Sequence, residues 1–291
     1  MGVVIGLGEV LWDVLPEGRQ LGGAPANFAY HVNALGGTGV PVSRVGDDEL
    51  GREALDILQE RGLDVSHITL DPNHPTGTVL AELDAEGKAT YTFPPNVAWD
   101  YLEIPSATAV MASRADAVCF GSLAQRSPVS RAAVQRFLDS MSEDSVRVFD
   151  VNLRGELYTP ETIAESLELA NVLKVSDEEL PILADIFGLN GTEGSVIEAV
   201  LELFSLDLCA LTRGGSGSLL LAASESHDHP GLSVDVVDTI GAGDSFTAAM
   251  TLGLLAGWSL AEINKHANRV AAAVCGHAGA MPVLSEKLKV A

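Results

Sequence analysis

Val237-Asp238-Thr239-Ile240-Gly241-Ala242-Gly243-Asp244-Ser245-Phe246 sets a Gly-Ala-Gly turn between two contrasting segments. Leu232 to Val237 alternates apolar with polar or acidic residues, and Phe246 to Gly257 is rich in Ala, Leu and Gly. The alternation predicts a strand and the small-residue run a helix, so the turn reads as the junction of an α/β unit. Backbone N–H groups of Gly241, Ala242 and Gly243 would then lie at a helix N-terminus, where they and the helix dipole favour negative charge. Asp244 falls in the first helical turn, in place to accept a proton from a hydroxyl attacking a phosphoryl group. Taken alone, the same residues also read as a tight turn and a helix cap.

Strand-like and helix-like patterns alternate outward from this segment over the whole chain of 291 residues, which predicts one α/β domain with a mostly parallel sheet. Residues 3 to 8 read as the first strand, and a helix opens at Ala24-Pro25, repeats Phe28, Val32 and Leu35, and stops at Gly36-Gly37. A second helix runs from Leu50 to Arg61. Thr78–Leu83 and Ala89–Phe93 read as two strands about a turn at Asp84–Gly87, a hairpin with no place in a doubly wound core. Further helices are predicted near 130–142, 160–170 and 177–187, and strands at 117–121, 146–151, 171–175, 207–212 and 218–222. Ser259-x-x-Glu262 is a capping-box pattern at the start of the last helix.

Seventeen basic against 40 acidic residues give a formal net charge of −23, which repels nucleic-acid phosphates and argues against such a partner. With no basic leader before an apolar run and no stretch of membrane-span length, the chain is expected to be cytoplasmic, with no membrane partner. Cys119, Cys209 and Cys275 form no C-x-x-C and read as buried reduced thiols. Gly6-x-Gly8 lacks the third glycine of a dinucleotide fingerprint, since Leu11 stands there. No lysine is followed by Ser or Thr, so a Walker A loop is absent as well.

Residues 238 to 246 resemble the C-terminal signature of the ribokinase-like (PfkB) carbohydrate kinases, with Ile240 where Thr is commoner. Leu21-Gly22-Gly23-Ala24-Pro25-Ala26-Asn27-Phe28-Ala29 resembles the N-terminal signature of the same family. The resemblance implies a ribokinase-like three-layer α/β core with a small β-strand lid, built from about 9–22 and 74–98 within a single domain of residues 1–291. It implies ATP-dependent phosphorylation of a sugar's primary hydroxyl, with Asp244 as base and the Gly241–Gly243 turn as anion hole. Fructose is the expected substrate, with 2-keto-3-deoxygluconate and ribose as alternatives. A non-catalytic sugar or nucleotide sensor on the same fold is the reading from another class.

The resemblance also places Asp13, Gly22, Gly23 and Asn27 at the sugar, although Asp13 alone reads equally as a turn residue and Asn27 as a helix start. Asp150-Val151-Asn152-Leu153-Arg154 resembles a stretch that follows a central strand in fructokinases and ketodeoxygluconate kinases, which directs Arg154 at phosphate or sugar, or simply at solvent. Lys174-Val175-Ser176-Asp177-Glu178-Glu179 is similar to the family's Asn-x-x-Glu motif, with Ser176 for Asn. Glu179 would help hold Mg²⁺, or close a capping box with Ser176. Thr212, Gly214 and Gly217 match the nucleotide loop, and Asn268 falls near the expected adenine position. Asp238 is the expected site of a monovalent cation such as K⁺, and the lid strands would allow a homodimer.

Overall fold

The computed structural model describes residues 2–15, 18–83 and 89–290. The chain begins with β1 (Val3–Leu7), β2 (Leu11–Leu15), β3 (Gly18–Gly22), α1 (Ala24–Ala34), β4 (Thr38–Gly46), α2 (Glu49–Glu60), β5 (Ile68–Asp71), β6 (Gly77–Leu83) and β7 (Ala89–Thr92). It continues with α3 (Ser106–Ala112), β8 (Ala117–Gly121), α4 (Pro128–Asp139), β9 (Val146–Asp150), α5 (Pro160–Leu169), β10 (Val172–Ser176), α6 (Leu180–Phe187) and α7 (Glu193–Leu203). β11 (Leu208–Thr212), β12 (Ser218–Leu221), β13 (Ser226–His229), α8 (Ala242–Leu255) and α9 (Leu260–Cys275) complete it.

Nine strands form the main sheet in the order β13-β12-β11-β10-β9-β8-β1-β4-β5, parallel from β5 to β11 and antiparallel at the β12–β13 edge. Buried on both faces, its central strands alternate between two helix layers. Val4, Ala117, Cys119, Val148 and Val172 face a core shared with α1, α8 and α9. Their neighbours Ile5, Val118, Phe120, Phe149 and Leu173 face the opposite core, with α4, α5 and α7. The expected three layers follow from that alternation.

After β1 the chain first adds β4 on one side and later β8 on the other, so strand order reverses at β1. In a sheet of this kind a crevice opens at that switch point, beyond the strand C-termini. α1 lies unusually close to the sheet there, since a Cβ at Gly6 would come within 2.0 Å of the Pro25 carbonyl oxygen. Over the crevice sits a second sheet in the order β3-β2-β6-β7, from the segments expected to leave the α/β rhythm. β2 pairs with β6 in parallel, while β3 and β7 are antiparallel at the edges. The predicted turn at Asp84–Gly87 lies outside the described residues.

One expectation fails in the segment read first. Residues 232–237 form no strand but an exposed connection, with Val236 60% and Val237 64% accessible. Alternation predicts a strand only where a neighbour supplies hydrogen bonds and one face is covered, and here α9's end supplies only Cys275's carbonyl, to the N–H groups of Val237 and Asp238. The helix that follows forms as expected, as does the Ser259–Glu262 capping box of α9.

Candidate active site

Gly241 begins the site by adopting φ 78°, left-handed backbone, with its position for a Cβ only 2.5 Å from the Ala280 carbonyl oxygen. A residue with a side chain would pay both backbone strain and a clash there. The turn launches α8 with Ala242, Gly243 and Asp244 as its first three residues. Ala242 N–H donates to the Thr239 carbonyl at 3.2 Å, and among the described residues no partner is recorded for the N–H groups of Gly241, Gly243 and Asp244. Unpaired donors at a helix N-terminus make a site for an anion.

Asp244 is held from the other end of the chain. The Asn27 side-chain amide, on the first turn of α1, donates to its Oδ2 at 2.7 Å. The two helices pack on the same face of the sheet, which brings residues 217 positions apart into contact. Burial pushes the Asp244 carboxyl up to about 6, helped by the Asp150 charge and opposed by the bond from Asn27. A carboxylate with that affinity is ionised at neutral pH yet accepts a proton more readily than a surface aspartate.

Beneath the turn lies a buried ion pair. Lys174 Nζ, near the end of β10, donates to Asp150 Oδ1 at 2.9 Å, and Thr247 Oγ1 donates to Asp150 Oδ2 at 3.1 Å. Burial alone would lower the Lys174 ammonium, but the carboxylates of Asp150, Glu179 and Asp244 outweigh it and hold it above the ordinary lysine value. A Cβ at Gly243 would stand 3.4 Å from that ammonium, so its charge lies directly under the free N–H groups.

These groups face a cleft of about 900 Å³ whose lining includes Glu9, Asp13, Gly23, Asn27, Arg154, Lys174, Gly241, Gly243 and Asp244. Val79, Tyr91 and Thr92 of the small sheet form its roof, with Phe93 just beyond β7. Asp13, on β2, is raised above the usual carboxylate range by burial. Gly22 does not line the cleft; it pairs with Leu11 beside Asp13, and a Cβ there would overlap Asp13 Oδ2 at 2.5 Å. Arg154 is exposed at the rim, its guanidinium donating to the Leu153 carbonyl.

Other predicted residues stand beside the cleft and do not line it. Ser176 and Glu179 close on each other, with Ser176 N–H and Oγ both 2.9 Å from Glu179 Oε2. Glu179 Oε1 accepts from Leu153 N–H at 2.7 Å, so this carboxylate ties β10 to the loop after β9. Thr212 ends β11, and Gly214 and Gly217 turn the chain into β12 with φ 51° and 84°. Asn268 is buried on α9, its amide shared among Ser218 Oγ, Asn264 O and Asn264 Oδ1. Asp238 spends both oxygens on backbone N–H groups, Oδ1 on Ile240 and Oδ2 on Gly279.

Two residues of the site escaped the sequence reading of roles. Asp150 was legible only as part of a strand-end motif, and its charge matters because of a lysine that meets it across two strands. Glu9, two residues beyond β1, looked like the start of a loop, yet it is 4% exposed and faces the cleft. Its position after the switch-point strand is the signal that would have found it.

The family model for pfkB family carbohydrate kinases matches residues 17–287. The fructokinase of Salmonella typhimurium is 35% identical over 262 residues, 86% of this chain and 83% of its own. The aminoimidazole riboside kinase of Salmonella typhimurium strain LT2 is 30% identical over 301 residues, 96% of this chain and 90% of its own. Among solved structures, the fructokinase of Vibrio cholerae O395 with fructose, ADP and calcium ion bound superimposes with a TM-score of 0.81 at 27% identity, covering 99% of this chain and 95% of that one.

Proposed function

The chain belongs to the pfkB family of carbohydrate kinases, and from that premise we propose that it transfers the γ-phosphoryl group of ATP to the primary hydroxyl of fructose. The observation that carries this reading is the meeting of Asp244, oriented by Asn27, with the unpaired N–H groups of Gly241 and Gly243 in one cleft. Asp244 takes the hydroxyl proton as the oxygen attacks phosphorus, while the helix N-terminus and Lys174 below it meet the negative charge of the transferring group. Asp13 accepts hydrogen bonds from the other sugar hydroxyls. The small sheet serves as a lid that excludes water, which would otherwise compete for the phosphoryl group.

The nucleotide lies along the β10–β12 side, over Lys174, Ser176, Thr212, Gly214 and Gly217, with Asn268 bracing the strand beneath. Mg²⁺ entering with the nucleotide would neutralise phosphoryl oxygens. The residues fit such an ion: with both Glu179 oxygens already accepting hydrogen bonds, the protein reaches it through water, as a phosphate-bound Mg²⁺ allows. At Asp238, likewise engaged, a monovalent cation would take carbonyl oxygens.

A neutral sugar suits the charge at the cleft, where Asp13 and Asp244 face a single rim cation, Arg154, and Lys174 is committed to Asp150. That arrangement disfavours a carboxylated sugar such as 2-keto-3-deoxygluconate. Similarity to an aminoimidazole riboside kinase over nearly the whole chain supports ribosides as the second substrate class. ADP release from Mg-ATP, measured with fructose, other neutral sugars, ketodeoxygluconate, ribose and ribosides, tests the reading. Turnover with fructose that disappears in Asp244→Ala is expected; turnover with a riboside alone overturns the substrate, and binding of a sugar without any turnover supports a sensor.

A further inference from the structure

Glu9 and Asn27 are the two cleft side chains that each leave a buried oxygen unmet among the described residues. Asp150 has Lys174 and Thr247, Asp244 has Asn27, and Glu179 has Leu153 and Ser176. Glu9 Oε2 is buried without a partner, and so is Asn27 Oδ1, on the residue that orients the base. Both residues line the open cleft. Glu9 also lines a smaller pocket of about 10 Å³ beside the cleft, shared with Asp150, Asp244, Thr247 and Cys119, a space of the order of one water molecule. The site thus holds two buried acceptors and lacks a donor. The Glu9 carboxyl accepts from the backbone N–H groups of Glu9 and Ala24, but a buried charge with no counter-ion beside it is still expensive, and protonation at Oε2 removes the charge and supplies a donor in one step.

We propose that Glu9 works as a neutral carboxylic acid whose hydroxyl is the donor this site lacks, and that loss of its proton turns the kinase off. The inference rests on the reading of Asp244 as the catalytic base. Facing Glu9 are Asp244 on α8, Asp150 at the end of β9, Arg154 in the next loop, Lys174 on β10, Asp13 on β2 and the Cys119 thiol on β8. Lys174 is committed to Asp150, and Arg154 stands at the exposed rim, so neither neutralises Glu9 at close range. Burial pushes the Glu9 carboxyl up to about 7, with the Asp244 charge adding to it and Arg154 and the backbone N–H groups of Glu9 and Ala24 opposing. Asp244 accepts the Asn27 amide, which favours its ionised form, whereas Glu9 Oε2 has no such partner; Asp244 is therefore the first of the two to lose its proton, and Glu9 keeps its own in the active form. Above that range a second negative charge would face the incoming polyphosphate and the donor would be gone. Glu9 is a positioning residue: it acts through Asn27 and Asp244.

The test is the pH profile of kcat/KM with Mg-ATP and fructose for the unmodified enzyme, Glu9→Gln and Glu9→Asp. The unmodified enzyme should rise through about pH 6 and fall through about pH 7 as Asp244 and then Glu9 ionise. Glu9→Gln, which donates at every pH, should keep the rise and lose the fall, whereas Glu9→Asp should keep both. A fall that persists unchanged in Glu9→Gln overturns the proposal. Independently of activity, the unmodified protein labelled with ¹³C at glutamate side-chain carboxyls should show one glutamate titrating near 7. That readout holds even if Glu9→Gln does not fold; if every glutamate titrates in the ordinary range the proposal fails. Turnover surviving in Asp244→Ala would instead sink the base assignment, while the glutamate titration still reports on Glu9.

Discussion

The two walls of the cleft treat their polar groups in opposite ways. On the α1–α8 wall the N–H groups of Gly241 and Gly243, the oxygen of Asn27 and that of Glu9 are left unmet among the described residues. Along the β10–β12 wall nearly every such group is answered from within: Ser176 by Glu179, Glu179 by Leu153, Ser218 by Asn264 and Asn268. Unmet groups cost stability and are kept where a ligand will meet them; closed networks stabilise the frame that holds the ligand. The contrast predicts that substitutions on the first wall change turnover more than stability, and on the second the reverse.

The largest expected effect tests the first wall. Asp244→Ala should lower kcat by about 10²- to 10⁴-fold, the usual contribution of a positioned general base, with sugar affinity little changed. A rise in KM with kcat unchanged would mean that Asp244 only binds.

Next comes the ion pair between the walls. Lys174→Met leaves the Asp150 carboxylate buried with only Thr247, and unfolding in urea should show a loss of about 3–5 kcal/mol. Adding Asp150→Asn should restore much of that stability without restoring turnover, because the charge under the Gly243 turn is still missing. If the double variant is as unstable as the single one, the pair is not what holds β9, β10 and α8 together.

Stability should also depend on pH through Asp244 itself. Its folded value, about 6, lies above the unfolded aspartate value of 3.8, so the folded state binds the proton more tightly. The sign follows: its contribution is favourable below about 4, declines as pH rises between the two values, and leaves a penalty above about 6. Asp244→Asn should therefore raise the melting temperature at pH 7.5 and lose that advantage near pH 4, while abolishing turnover. An equal shift at both pH values would indicate a packing effect.

How far the sequence disclosed this contrast depends on which contacts are local. The α8 start, the Ser259–Glu262 box and the alternation of strands and helices are set by neighbours within four residues or by burial period, and each was legible. The segment 232–237 has the same period as a strand but no strand beside it, information that lies in the sheet order and not in the segment. α7 has four buried apolar residues at helical spacing, Val196, Ile197, Val200 and Leu201, yet was not picked out. The free wall was read through Asp244 and Asn27, but not Glu9. Its burial arises only when α1 docks against β1, with the Gly23 Cβ position within 2.5 Å of the Glu9 carbonyl.

The smallest effect is the sharpest test of the second wall. Asn268 was expected near adenine, yet its amide is consumed by Ser218 and Asn264, beneath β12. Asn268→Ala removes the one amide nitrogen that three buried oxygens share and leaves Ser218 Oγ still paired with Asn264, so the network is thinned and not broken. Urea unfolding should show a loss of about 1–3 kcal/mol, the cost of a buried polar group left short of a partner. The Michaelis constant for ATP should move by less than about threefold, since that is what about 0.7 kcal/mol of lost binding produces. A large rise in that constant with stability intact would place Asn268 against the nucleotide and make the second wall a binding surface in its own right.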